Sequence, residues 1–195
     1  MNRIVFITGG ARSGKSRFAL EMATKLQGRK VYIATAEPLD EEMRQRIERH
    51  KRERGGDWFT IEEPLNLPQL LRELKRSYDV VLIDCLTLWL SNLILKRQNT
   101  EDRAQTIETE IAQFLDTIKI FKSSLHPFTH SPIHLNSSNF CSLFIVSNEV
   151  GMGIVPDNEL ARRFRDLAGL LNQKVATVAD EVYIVVSGIP LKIKG

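Results

Sequence analysis

Short apolar runs alternate with longer stretches of helical spacing along this chain. Ile4–Ile7, Val31–Ala34, Val80–Ile83, Ser142–Ser147 and Val182–Ser187 are compact, mostly aliphatic runs, the pattern of strands buried on both faces. Trp58–Ile61 is a shorter strand candidate, broken by Glu62-Glu63-Pro64. Between them, apolar residues recur every three or four positions. Phe18, Met22 and Leu26 predict a helix over Arg17–Leu26, and Leu70, Leu71 and Leu74 one over Leu67–Ser77. Asp40 is placed to cap a helix running to about Arg54, with Met43, Ile47 and His50 on one face. Leu86–Lys96 is helical, and Ile107, Ile111, Phe114 and Ile118 make a core-facing stripe on a helix over Glu101–Phe121. Asp157 is the expected cap of a last helix through Leu160, Phe164, Leu167 and Leu171 toward Ala179. Gly188-Ile189-Pro190 then turns the chain into an antiparallel partner, Leu191–Lys194. Strands alternating with helices predict an α/β fold, a mostly parallel sheet with helices on both faces and an antiparallel edge.

Gly9-Gly10-Ala11-Arg12-Ser13-Gly14-Lys15-Ser16, between the first strand and the first helix, fits the phosphate-binding pattern G-x-x-x-x-G-K-[ST]. Such a loop points backbone N–H groups at an anion, and side chains at Gly9, Gly10 and Gly14 would obstruct that approach or forbid the dihedrals. The following helix N-terminus adds partial positive charge. Lys15 is placed for the β/γ-phosphates and the Ser16 hydroxyl for Mg²⁺. Asp84 ends the Val80–Ile83 run, at the strand tip where open α/β sheets bind ligands, and is a second candidate Mg²⁺ ligand. The architecture these signals predict is a three-layer, RecA-like P-loop NTPase.

Composition adds limits. The chain has 195 residues, expected to form a single nucleotide-binding domain, 43% hydrophobic and 26% charged, with a net charge of +3. That charge asks for no nucleic acid; an anionic small substrate accounts for it. Two cysteines, Cys85 and Cys141, suggest no disulfide framework and point to a reducing cytoplasm. The first strand begins at once, so no signal peptide is expected, and no apolar run has the length of a membrane span. Residues 122–139, rich in Ser, His, Pro and Asn, are expected to be a loop insertion. His126, His130 and His134 recur there every four residues, but Pro127 and Pro132 oppose the helix that would join them at a metal.

Three stretches together resemble one family, the bifunctional adenosylcobinamide kinase/adenosylcobinamide-phosphate guanylyltransferases of cobalamin biosynthesis. They are Thr8–Arg17; Tyr32–Thr35 with Asp40–Met43, Arg46-Ile47 and His50-Lys51; and Asn148–Pro156 with Leu160-Ala161-Arg162, Phe164-Arg165-Asp166, Ala168-Gly169 and Val185–Gly188. Nearly the whole chain takes part except about Lys122–Asn139. Members often carry Glu where this chain has Asp84. The resemblance implies phosphorylation of adenosylcobinamide by ATP or GTP, then transfer of GMP from GTP to adenosylcobinamide phosphate through a histidine, here His50. It places nucleotide contacts at Gly9–Ser16, at Thr35, Ala36 and Glu37, at Lys51, Arg52, Glu53 and Arg54, and at Glu62 and Asp84. It also implies a homo-oligomer, a trimer, with active sites near subunit boundaries.

Two other readings compete. A RecA-like ATPase or GTPase would use the same loop and Asp84 but leave His50 and Asn148–Pro156 unexplained. A non-catalytic nucleotide sensor would bind GTP without turnover. His50 itself has a plainer reading, a histidine packed beside the Met43/Ile47 stripe. Against it stand the neighbouring cations Lys51, Arg52 and Arg54 and the suitability of imidazole as a nucleophile near neutral pH.

Overall fold

The computed structural model describes residues 2–38, 40–74, 77–96, 103–123 and 141–195, without the side chains of Glu42, Arg46, Arg49, His50, Glu53 and residues 103–106. The segment about 122–139, with its three histidines, lies outside them from residue 124 on. In chain order the elements are β1 (Arg3–Gly9), α1 (Lys15–Thr24), β2 (Lys30–Ala34), α2 (Glu41–Glu53), β3 (Trp58–Glu62), α3 (Leu67–Leu74) and β4 (Val80–Asp84). Then follow α4 (Leu86–Lys96), α5 (Arg103–Ser123), β5 (Ser142–Val146), α6 (Glu159–Val178), β6 (Glu181–Val186) and β7 (Ile189–Lys194).

The strands form one sheet in the order β3-β2-β4-β5-β1-β6-β7, parallel except for β7 against β6. Alternation along each strand feeds two apolar layers. Ile4, Phe6, Ile33, Ile83 and Ile145 face α3, α4, α5 and α6, whereas Val5, Ile7, Leu82, Phe144 and Val146 face α1. The Ile107–Ile118 stripe of α5 is buried in the first layer, where Phe114 meets Trp89 of α4 at 5.2 Å between ring centres. The central strands β1, β2, β4 and β5 therefore have an apolar layer on each side, which is why these runs lack polar alternation.

Two local expectations need correction. The last long helix is capped by Asn158, whose side chain accepts from the Ala161 N–H, and not by Asp157. Both residues suit the position; the one whose oxygen reaches a free N–H of the first turn takes it. The final hairpin turns at Ser187-Gly188, not at Gly188-Ile189-Pro190. Both residues have positive φ, 52° and 81°, as a two-residue hairpin requires. Ile189 and Pro190 already belong to β7, an edge strand, where a proline is tolerated.

The parallel order gathers the C-terminal ends of β1, β2, β4 and β5 along one rim. β5 lies between the strand that feeds the Gly9–Ser16 loop and the strand that ends in Asp84.

Candidate active site

The loop after β1 is held from below and from one side. Gly9 has φ of 151°, and a side chain there would meet the Val185 carbonyl oxygen at 2.4 Å. Gly14, with φ of 93°, lies close against Gly188. These two positions require glycine by the fold itself; a side chain at Gly10 would meet nothing within 4 Å. The loop is tied by Ser13 N–H to the Gly10 carbonyl, by Glu149 N–H to the Gly9 carbonyl and by Gly188 N–H to the Ser13 carbonyl. Lys15 is buried and its Nζ donates to the Gly10 carbonyl at 3.0 Å.

Two clefts flank this loop. One is lined by Gly9–Ser13, Glu149, Met152 and the end of β6. The other holds Lys15 and Ser16 opposite Asp84, with Tyr32 and Arg54 in its wall. Its empty space, with the open solvent at the mouth included, is about 610 Å³.

The Tyr32 hydroxyl donates to Asp84 Oδ2 at 2.7 Å. Burial, and then the carboxylate beside it, push the Tyr32 phenol well above its ordinary value, so it stays a donor. Over its ring lies the Arg54 guanidinium, 3.9 Å from the centroid, which also donates to Thr60 Oγ1. Asp84 is thus oriented through one oxygen, and Ser16 and Asp84, each bearing a hard oxygen donor, share one cleft. Among the described residues no group of three His, Cys, Asp or Glu could cage a metal. That donor set fits Mg²⁺, which is held by one or two protein oxygens together with phosphates and water.

The other expected contacts divide. Ala36 lines the cleft. The Thr35 hydroxyl is buried and engaged, donating to the Cys85 carbonyl and accepting from the Cys85 N–H, both at 2.8 Å. Glu37 pairs with Lys96 at 2.8 Å. Lys51 pairs with Glu62 at 2.9 Å, and this hydrogen bond raises the Lys51 pKa. Arg52 is exposed, and the Glu53 side chain is outside the described set. His50 is on α2 by its backbone, three residues after Ile47. The loop after β5 divides too: Asn148 enters the cleft, donating from Nδ2 to Thr87 Oγ1 at 2.8 Å, while Met152, Ile154 and Val155 are exposed.

Sequence reasoning missed Tyr32, Leu88 and Asn148 as parts of this cleft. For Tyr32 a signal existed: a tyrosine inside a buried strand needs a partner for its hydroxyl. It also took Met43 and Ile47 as a possible core face; instead they line the cleft.

A family model described as cobinamide kinase / cobinamide phosphate guanyltransferase matches residues 5–193. The chain is 38% identical over 191 residues to the "Bifunctional adenosylcobalamin biosynthesis protein CobU" of Escherichia coli, covering 98% of this chain and 99% of that one. The protein of the same name from Salmonella typhimurium is 39% identical over 193 residues, again 98% and 99%. CobP of Pseudomonas aeruginosa, with the same description, is 38% identical over 189 residues, covering 97% and 96%. Among solved structures, a prototypical ATPase from the type III secretion system of pathogenic bacteria superposes with a TM-score of 0.52 at 8% identity. The overlap covers 93% of this chain and 50% of that ATPase, a likeness of fold alone.

Proposed function

This chain belongs to the cobinamide kinase / cobinamide phosphate guanyltransferase family, and from that premise we propose that one cleft serves two successive reactions. In the first, the hydroxyl of the aminopropanol arm of adenosylcobinamide attacks the γ-phosphorus of ATP or GTP. The new P–O bond forms as the β–γ bridge breaks, the nucleoside diphosphate leaves, and the hydroxyl proton passes to water. In the second, an imidazole nitrogen of His50 attacks the α-phosphorus of GTP and expels pyrophosphate. A phosphate oxygen of adenosylcobinamide phosphate then takes the GMP from His50, giving adenosyl-GDP-cobinamide and free imidazole.

The observation that carries this reading is the meeting of three things in one cleft: Lys15 and Ser16 from the loop, Asp84 from β4, and the face of α2, the helix that carries His50. Lys15 supplies charge to the phosphates, and the loop N–H groups position them. Ser16 and Asp84 would hold Mg²⁺, which would neutralise charge on the β- and γ-oxygens. Of the nucleotide contacts proposed at Thr35–Glu37, Lys51–Arg54 and Glu62, Ala36 and Arg54 line this cleft. The RecA-like ATPase reading shares the fold but gives α2 and the Asn148–Pro156 run no task.

Labelling with α-³²P-GTP tests the second reaction. Wild-type protein should take up label in an acid-labile, base-stable bond, as a phosphoramidate does. His50→Ala should take up none, lose GMP transfer and retain most kinase turnover. Stable labelling of that variant would refute the assignment. We also propose a homo-oligomer, a trimer, with sites near subunit boundaries. Exposed Met152 and Ile154 beside the loop, and Ile189, Leu191 and Ile193 on the edge strand, support it. A monomeric mass by light scattering would contradict it.

A further inference from the structure

Asn148 lines the cleft from a third strand, two residues past the end of β5. β5 lies between β1, which feeds Lys15 and Ser16, and β4, which ends in Asp84. Strand order therefore brings Asn148 in between the lysine and the carboxylate. We propose that the Asn148 amide donates to the terminal phosphate of the bound nucleoside triphosphate, and that Thr87 is the positioning residue that aims it. The proposal rests on the reading above, in which Lys15 and Ser16 hold that triphosphate.

Asn148 is held from two sides. Thr87 Oγ1 accepts from the Asn148 backbone N–H at 3.3 Å and from its Nδ2 at 2.8 Å. These bonds use both lone pairs of the hydroxyl, so its own proton goes to Cys85 Sγ, 3.1 Å away. On the other side, Asn172 Nδ2 donates to the Asn148 carbonyl at 3.0 Å. Past Cys85 the belt continues. The Cys85 N–H and carbonyl both bond Thr35 Oγ1 at 2.8 Å, and Asn92 Nδ2 donates to the Thr35 carbonyl at 2.8 Å. A line of uncharged, mostly buried partners thus crosses the rim from β2 through β4 and β5 to α6. Satisfied networks of this kind make rigid what they hold. Cys85 follows Asp84 directly, so the belt sets Asp84 and Asn148 in one frame.

Fastening β5 to α4 would need only the backbone N–H, which Thr87 already accepts. The side chain adds something else. Its Oδ1 is buried and has no donor among the described residues, and one N–H of Nδ2 goes to Thr87. The group left for a ligand is the second N–H of the amide, and a phosphate oxygen accepts such a bond. Within a triphosphate, the terminal group lies where the loop lysine and the metal ligands converge. Here that is the stretch of cleft between Lys15 and Asp84, to which β5 delivers Asn148.

The test compares the Kd of GDP with that of a non-hydrolysable GTP analogue, both with Mg²⁺ and the whole protein. Asn148→Ala should weaken the analogue about ten-fold, the scale of a hydrogen bond to a charged group, and leave GDP within about two-fold. Thr87→Val keeps the shape of the side chain and removes the acceptor, so it should reproduce that selective loss. Thr87→Ser keeps the hydroxyl and should discriminate between the two nucleotides as wild type does. An equal loss for GDP and the analogue would make Asn148 a structural tie and overturn the proposal. So would an unchanged affinity of Asn148→Ala for the analogue. A Thr87→Ser protein that has lost the discrimination would overturn the role of Thr87. Should Thr87→Val fail to fold, Asn148→Ala and Thr87→Ser decide the matter by themselves. Failure of wild type to bind either nucleotide would remove the triphosphate reading itself, a result separate from the others.

Discussion

Tyr32 does with one hydroxyl what Asp84, proposed as a Mg²⁺ ligand, needs from its surroundings. It fixes Asp84 through Oδ2, while its ring carries Arg54. Tyr32→Phe removes the hydrogen bond and keeps the ring. The expected outcome is a rise of about ten-fold in the Mg²⁺ concentration that half-saturates Mg²⁺-linked nucleotide binding, the usual cost of losing a partner behind a metal ligand. Titration of binding against Mg²⁺ measures it, and an unchanged midpoint would show that Asp84 needs no such support. At this scale the sequence was partly legible. Lys15 and Ser16 announce themselves because a motif fixes their spacing, and Asp84 because it ends an apolar strand run. Tyr32 and Asn148 do not, because what makes them matter is a neighbour from another strand or helix, Asp84 for one and Thr87 for the other.

Element boundaries follow local chemistry where that chemistry is local. Asp40 caps α2 by accepting from the Met43 N–H at 2.7 Å, and α4 occupies Leu86–Lys96 as its apolar run predicts. The Asn158 cap and the Ser187-Gly188 turn were misplaced by one or two residues because adjacent residues offered equivalent chemistry. Junctions between elements are another matter, and Asp180 is the clearest. Its carboxylate accepts from the Ile4 N–H at 2.8 Å and pairs with Lys122 at 2.7 Å, joining the start of β1, the end of α5 and the entry to β6. Burial alone would raise this carboxyl; the bonds from Lys122 and from the Ile4 N–H outweigh it and hold the pKa below the ordinary value. The lowered folded value means that the stabilisation is complete well above the unfolded pKa of about 3.8 and is lost as pH falls through the folded value. Asp180→Asn should lose roughly 1 kcal/mol at neutral pH, discounted for partial exposure. Its deficit against wild type should shrink below about pH 4, as urea midpoints across that range would show. A deficit independent of pH would assign the effect to packing.

Over the whole molecule, the fold class was legible and the strand order was not. Alternating strand and helix patterns lead to a parallel α/β sheet, yet nothing local says that β5 pairs with both β1 and β4. The same non-local logic bears on the segment between α5 and β5. Asn2 donates from its amide to the Phe121 carbonyl at 2.7 Å and accepts from the Cys141 N–H at 3.1 Å. One short side chain thus spans the two places where the chain leaves and re-enters the described fold. Replacing residues 124–139 by a short turn should therefore leave the melting temperature within a few degrees and both activities intact, since closure entropy changes slowly with loop length. Loss of the folded state on that deletion would mean that Phe128, Ile133 or Leu135 contributes to the core.

The place of β5 has a consequence for how the protein is made. A ribosome delivers Lys15 early and Asp84 midway, but the strand that must lie between theirs begins only at Ser142. Until it emerges, β1 and β4 each keep an open, apolar edge and the two halves of the cleft have no common frame. β6, the other neighbour of β1, comes later still. Assembly of the cleft is thus deferred to the closing stage of synthesis, and until then the nascent chain carries two unpaired apolar strand edges, the kind of surface that favours aggregation.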